Sequence, residues 1–334
     1  MVGELYMINW HLWIGTAEDW DSQLQQFADY SVYQGYAWGE HKRRFGWLPI
    51  RLEAILEGKT VAMAQALLKR YPLRVGMAWV PGGPVGNLNT WNDSLWRAIR
   101  NFGGVNFFVC RINSAKVHSD QEDSQLTNQG WCRSATPLLS GFSLIYQPSL
   151  SEDERQKLCS GSWRHNLRRS SKYGLKSYVW NDPDPDQMIN VYDIMQDYKQ
   201  LAEQISRAEI ESLLLAFRER CILVRCDDAE GNMLAFRGAL LMGNKGRDIF
   251  AATTPQGRKV YASHLAFWEL MEQCAAKGIA FYDMGGVDPI NGRGVYNFKK
   301  GTGAKDICYL GEWVYSRPAI LGVITDRLIA LRRR

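Results

Sequence analysis

Cys221-Ile-Leu-Val-Arg-Cys226, Asp227-Asp-Ala-Glu-Gly-Asn232 and Met233-Leu-Ala-Phe-Arg-Gly-Ala-Leu-Leu241 read in succession as strand, turn and strand. Two apolar, β-prone runs flank a cluster of Asp, Gly and Asn, the residues that close a hairpin. Downstream, Asp248–Thr253 continues as a strand, and Ser263–Ala276 has helical spacing that stops at Gly278. Ile279–Met284 follows as another short strand. Upstream lie two expected helices, Asp186–Glu203 and Ser206–Phe217, the second opened by a Ser206/Glu209 capping box. An Asp/Pro-rich break, Asn181–Asp186, precedes them.

The first half carries the same order. Thr16 and Asp19 mark a helix start, with Trp20, Leu24 and Phe27 at helical spacing behind it. A second helix is predicted over Ser31–Phe45. The runs Leu48–Leu56 and Val61–Leu68 flank Glu57-Gly58-Lys59 as a hairpin. Val75–Val80 is a strand, Trp91–Phe102 a helix and Val105–Cys110 a buried strand. Between the halves, Ser151–Lys172 reads as one long basic helix. At the end of the sequence, Ala319–Arg334 reads as a short apolar helix finishing in three Arg.

The 334 residues suit two cores better than one. With 46% hydrophobic and 22% charged residues, the composition excludes a disordered chain. Thirteen Trp and 15 Tyr are expected mostly as packing residues. Seven Cys, without a C-x-x-C or a Cys/His cluster, argue against zinc and against a disulfide framework, and for a reducing cytoplasmic setting. Met1–Trp13 lacks the basic leader of a signal peptide, and no run reaches the roughly 20 apolar residues of a membrane span. A charge of +5 permits a polyanionic partner or an anionic membrane surface without demanding one.

Two helices, hairpin, strand, helix, strand resembles the core order of an N-acetyltransferase (GNAT, acyl-CoA N-acyltransferase) domain. The expected fold is therefore α/β with mixed sheets. Two such domains are expected, at residues 1–150 and 151–316, with a basic C-terminal helix, 317–334, packing back on the first. Four segments together resemble the Fem family of peptidoglycan aminoacyltransferases. They are Ser31-Val-Tyr-Gln34-Gly-Tyr-Ala-Trp38-Gly-Glu-His-Lys42, Met77-Ala-Trp-Val-Pro81-Gly-Gly-Pro84, Trp163-Arg-His-Asn-Leu-Arg168-Arg169, and Tyr282-Asp283-Met-Gly285-Gly286 with Gly294-Val-Tyr296-Asn-Phe298-Lys299-Lys-Gly301-Thr-Gly303. The family's coiled-coil arm is absent, as in its shorter members. Where many members carry an acidic residue followed by Pro, this chain has Arg111-Ile-Asn113-Ser114.

Gln34, Trp38 and Lys42 are spaced to share one helix face. A Lys there either covers a packed Trp with its stem or reaches an anion; the resemblance implies an acceptor diphosphate, with Arg168 and Arg169 as further binders. Asp283 ends a strand before Gly285 and Gly286, where it either acts in catalysis or, the favoured reading, holds the turn. Lys299, in an expected Gly-rich loop beside Tyr296 and Phe298, is the catalytic candidate. Its ammonium would meet charge developing at an ester carbonyl.

A coenzyme A site needs small residues before a helix so that backbone N–H groups reach the pyrophosphate. Here Tyr261 and Ser263 stand at the corresponding glycine positions, which disfavours acetyl-CoA; no cofactor is expected. The resemblance implies aminoacyl-tRNA as donor and a lipid- or UDP-linked muropeptide or glycan precursor as acceptor. The expected enzyme is a cytoplasmic monomer with possible peripheral membrane contact. Two alternatives stand beside it: N-acyl transfer to an amino sugar in polysaccharide assembly, and a non-catalytic binding module.

Overall fold

The computed structural model describes residues 9–199, 205–290 and 292–332. The chain divides into two compact units, Met1–Phe142 with Cys308–Arg334, and Ser143–Ile307. The division falls before the expected Leu150 because Tyr146 and Ile145 pair with Tyr282 and Asp283 of the second unit.

In the first unit, strand Asn9–Leu12 pairs with Leu48–Leu56, which forms the expected hairpin with Lys59–Tyr71. Val75–Gly82 joins antiparallel to that hairpin and parallel to Phe107–Val117. Tyr309–Arg317 then pairs antiparallel with Phe107–Val117. The core behind this sheet holds Trp91 and Trp131, almost fully buried, with Trp96. Ten of the chain's 13 Trp are buried, so packing is their principal use.

The second unit repeats the arrangement. Lys176–Val179, Cys221–Asp227, Met233–Met242 and Lys245–Thr253 run antiparallel in turn. Phe281–Asp283 joins Lys245–Thr253 in parallel. Helix Ala262–Ala276 covers the sheet with Phe267, Leu270, Met271 and Cys274 buried. Both capping boxes read from sequence form: Thr16 with Asp19, and Ser206 with Glu209.

Four elements differ from expectation. Ser31–Phe45 is not one helix: a 3-10 turn, Val32–Gln34, ends at Gly35 in an extended conformation, and an α-helix then runs Tyr36–Arg43. A tertiary contact sets that second start, since Tyr36 N donates to Asp21 Oδ1 at 2.7 Å. Ser151–Lys172 likewise breaks into Glu152–Leu158 and Gly161–Ser170, with Cys159 extended and Ser160 capping Trp163 N. The Gly-rich loop expected around Lys299 is a helix, Arg293–Gly301. A helical Gly costs about 1 kcal/mol relative to Ala, and burial of the Phe298 and Lys299 face opposes that cost. The expected Asp186–Glu203 helix is described as Pro185–Lys199, its last residues lying outside the described set. No helix among the described residues is long and apolar enough to cross a membrane.

Candidate functional site

The residues singled out from sequence fall into two groups, one in each unit. In the first unit, Gln34 lies in the 3-10 turn and so leaves the row formed by Trp38 and Lys42. It is fully buried, and its amide is committed to the backbone. Nε2 donates to Pro81 O at 2.8 Å and Gln65 O at 3.2 Å, while Oε1 accepts from Gln65 N at 2.6 Å. Both polar groups of the Gln34 side chain are thus used to clamp the turn to two strands. Gly83 is required beside it, because a Cβ there would stand 2.4 Å from the Gln34 amide carbon.

Trp38 is buried against Tyr33 and His41, with ring centroids 4.5 and 5.3 Å away. Lys42 brings its ammonium within 5.0 Å of the Trp38 ring, a cation–π distance. Sequence reasoning missed the Arg51 network beneath them. Arg51 donates to Gln65 Oε1 at 2.8 Å and Glu40 Oε1 at 2.9 Å, and stacks 3.4 Å from the Tyr36 ring.

His41 sits in the same layer, 1% exposed, and burial pulls its pKa down to about 3, with Lys42 and Arg44 adding repulsion. The unfolded residue titrates near 6.5. As pH falls through about 6.5, the unfolded chain takes up a proton that the folded one refuses, so stability present above that pH is lost toward the folded pKa. The expected slope from this one group is up to ~1.4 kcal/mol per pH unit. Urea unfolding of the native protein and His41→Phe at pH 7, 5 and 4 should show the native curve falling more steeply; parallel curves would refute the assignment.

The second group surrounds Lys299. Of the neighbouring lysines, Lys299 faces inward at 7% exposure, whereas Lys300 is exposed and pairs with Asp306. Its Nζ donates to Gly285 O at 3.3 Å and Gly286 O at 3.4 Å. That turn is shaped by Asp283, which accepts from Gly285 N at 2.8 Å and also binds Ser143 Oγ and Arg247. Gly285 takes φ +79°, a conformation few side chains tolerate. Burial pulls the Lys299 ammonium below its ordinary pKa; Asp248 opposes this, and Arg237 and Arg247 reinforce it.

Arg237 and Asp248 were missed in the sequence. Arg237 is buried in strand Met233–Met242, with its guanidinium 4.8 Å from the Phe298 ring and 5.3 Å from Phe267. Asp248 Oδ1 accepts from Tyr282 Oη at 2.8 Å and Arg237 Nη1 at 3.4 Å. The available signal was a lone Arg within the apolar run Leu234–Leu241.

Phe298 packs against Trp163 and His264, each with ring centroids within 6.1 Å. Tyr296 donates to Asp306 at 3.3 Å, on the outer side of the helix. Arg169 binds the Tyr261 hydroxyl at 3.0 Å and stacks on its ring, while Arg168 is exposed on the same helix.

Residues 218–319 match the model of the FemAB family. Across 95% of its length the chain is similar in fold to the whole of the crystal structure of FemX, with a TM-score of 0.83 and 15% identity. It is also similar to L-PGS from Bacillus licheniformis, with a TM-score of 0.53 and 12% identity over 93% of this chain and 96% of that one. A tandem GNAT protein from the clavulanic acid biosynthesis pathway aligns over 92% of this chain and 98% of its own, with a TM-score of 0.54 and 9% identity. No curated protein matches. The matched segment contains Arg237, Asp248, Asp283 and the entire Lys299 helix, and the likeness in fold to FemX extends over the chain on both sides of it.

Proposed function

We propose that the protein transfers an aminoacyl group from aminoacyl-tRNA to an amine of a lipid- or UDP-linked peptidoglycan precursor. The observation that carries this reading is the buried Lys299 ammonium beside the Gly285-Gly286 turn, within the segment that matches the FemAB model. The acceptor nitrogen attacks the ester carbonyl carbon, forming the C–N bond. The ester C–O bond then breaks, the tRNA ribose oxygen leaves, and the proton lost by the amine ends on that hydroxyl. Lys299 supplies positive charge as the carbonyl oxygen becomes an oxyanion. The binding of both substrates in reactive orientation contributes the rest. Lys42 is assigned to acceptor phosphate, and exposed Arg168, with Arg169, to anionic groups of the substrates.

The form of the Tyr261 segment supports a donor other than acetyl-CoA. Residues Pro255–Lys259 are helical, and Tyr261 stands immediately before helix Ala262–Ala276 with φ +63°. Gly257 is packed so closely on Leu234 O that a Cβ would stand 2.5 Å from it. A bulky residue where small ones would let backbone N–H groups reach a pyrophosphate supports that reading.

One observation favours a second reading, N-acyl transfer to an amino sugar. Asn113 stands where many members of the resembling family have an acid, and its buried Nδ2 lacks a hydrogen-bond partner. An amide cannot accept the amine proton as a carboxylate would.

The deciding experiment incubates the protein with charged tRNAs and candidate muropeptide acceptors, then follows acceptor mass. An aminoacyl increment that depends on charged tRNA is expected, with no acetyl-CoA binding by calorimetry at about 1 mM. Micromolar acetyl-CoA binding together with acetylation of an amino sugar would replace the first reading by the second.

A further inference from the structure

Helix Ile320–Arg332, in the first unit, turns Gly322, Thr325 and Asp326 inward together with the half-buried Leu321 and Ile329, and leaves a strip of large apolar side chains in solvent. Asp326 points into the unit, where it binds Arg111 and accepts from Ala135 N at 3.0 Å. Gly322 lies against strand Lys305–Arg317, its N–H donating to Ser316 Oγ at 3.1 Å. On the opposite side Ile320, Val323, Ile324, Leu328 and Leu331 are between 46% and 66% exposed. At 3.6 residues per turn these five fall within an arc of about 140°. A helix that only covered its own core would not leave five large apolar side chains in solvent.

Charge identifies what suits this face. From Arg317 to Arg334 the sequence has five Arg and a single acid, Asp326, which is committed to Arg111. Arg327 projects from within the apolar arc and is exposed, whereas Arg317, where the chain enters the helix, pairs with Asp93 and Tyr315. An apolar strip with Arg327 within it, followed in the sequence by Arg332-Arg333-Arg334, suits the boundary between acyl chains and anionic headgroups. A helix of 13 residues, about 20 Å long, is too short to span a bilayer but can lie in its surface.

We propose that this helix docks the protein peripherally on an anionic membrane surface, inserting Ile320, Ile324, Leu328 and Leu331 between headgroups while arginines pair with lipid phosphates. The proposal rests on the helix alone and holds whichever acyl group is transferred.

The test is co-sedimentation of the full chain with vesicles of phosphatidylcholine, with or without phosphatidylglycerol. Binding should require phosphatidylglycerol and weaken with salt. In the double variant Ile324→Asp/Leu328→Asp it should fall by about tenfold or more. Arg327→Glu, which leaves the apolar residues in place, should lower it roughly fivefold, and this variant carries the test if the double variant loses helix by circular dichroism. Ile290→Asp, at an exposed apolar position of the second unit, should bind like the native chain. Equal binding of the helix variants and the native protein would overturn the proposal, as would no binding to phosphatidylglycerol vesicles. So would sedimentation analysis showing self-association that the same variants abolish, since the face would then belong to a second copy.

Discussion

Replacing Lys299 by alanine is expected to lower kcat on the order of 10²-fold or more, the loss seen when one preorganised donor to a developing charge is removed. The geometry makes the prediction specific. Lys299 is buried, its neighbour Lys300 is at the surface paired with Asp306, and the Lys299 ammonium donates to carbonyl oxygens of the Gly285-Gly286 turn. Carbonyl dipoles hold the group in place without the neutralisation that a contacting carboxylate would give. An interaction used only as charge develops lowers kcat and kcat/KM together, so KM should change little. Lys299→Arg keeps the charge but presents a planar, bulkier donor, and should recover part of the activity. Lys300→Ala should leave turnover close to native. If Lys299→Ala instead lowers the melting temperature while turnover per folded molecule is unchanged, the side chain serves packing and its catalytic assignment is wrong.

The largest effect on stability is expected at Arg111. This guanidinium is fully buried, and all its directions are used: Glu312 Oε1 at 2.8 Å, Asp326 Oδ1 at 2.5 Å, Ser134 Oγ at 2.7 Å and Thr136 O at 2.8 Å. Arg111→Met would leave the Glu312 carboxylate buried without its partner, a loss of about 3–5 kcal/mol from a total that is commonly about 5–15 kcal/mol. The double variant Arg111→Met/Glu312→Leu should regain much of that loss, because two well-packed apolar side chains remove the fully buried charges and leave only the partly exposed Asp326 without its partner. Urea unfolding of the single and double variants measures the coupling directly. Asp326→Asn should cost less, since its carboxylate is partly exposed. An Arg111→Met protein as stable as the native one would show that the network contributes nothing net.

The elements legible in the sequence are those whose signals are local. The hairpin Cys221–Asp227/Met233–Met242 follows from two apolar runs and a turn of Asp, Gly and Asn between them. The starts at Thr16 and Ser206 follow from capping boxes that close within three residues. The inward Lys-bearing segment was found through its motif, but its form was not: two Gly suggested a loop, and a helix stands there, with Phe298 packed on Trp163, Phe267 and His264. The breaks at Gly35 and Cys159 were also invisible, the first being set by Asp21, 15 residues away.

Sequence alone determined the main order of helices and strands and the twofold repeat, because periodicity, caps and turn chemistry act over a few residues; the candidate lysines came from the resemblance of their motifs. Tertiary structure decided which of Lys299 and Lys300 is buried, and that Gln34 clamps the backbone of two strands. It also decided that Arg237 meets Asp248, and that Arg111 meets a carboxylate 201 residues away. The physical reason is common to all four. The value of a polar side chain depends on which groups share its low-dielectric surroundings, and those groups are brought together only when the chain packs.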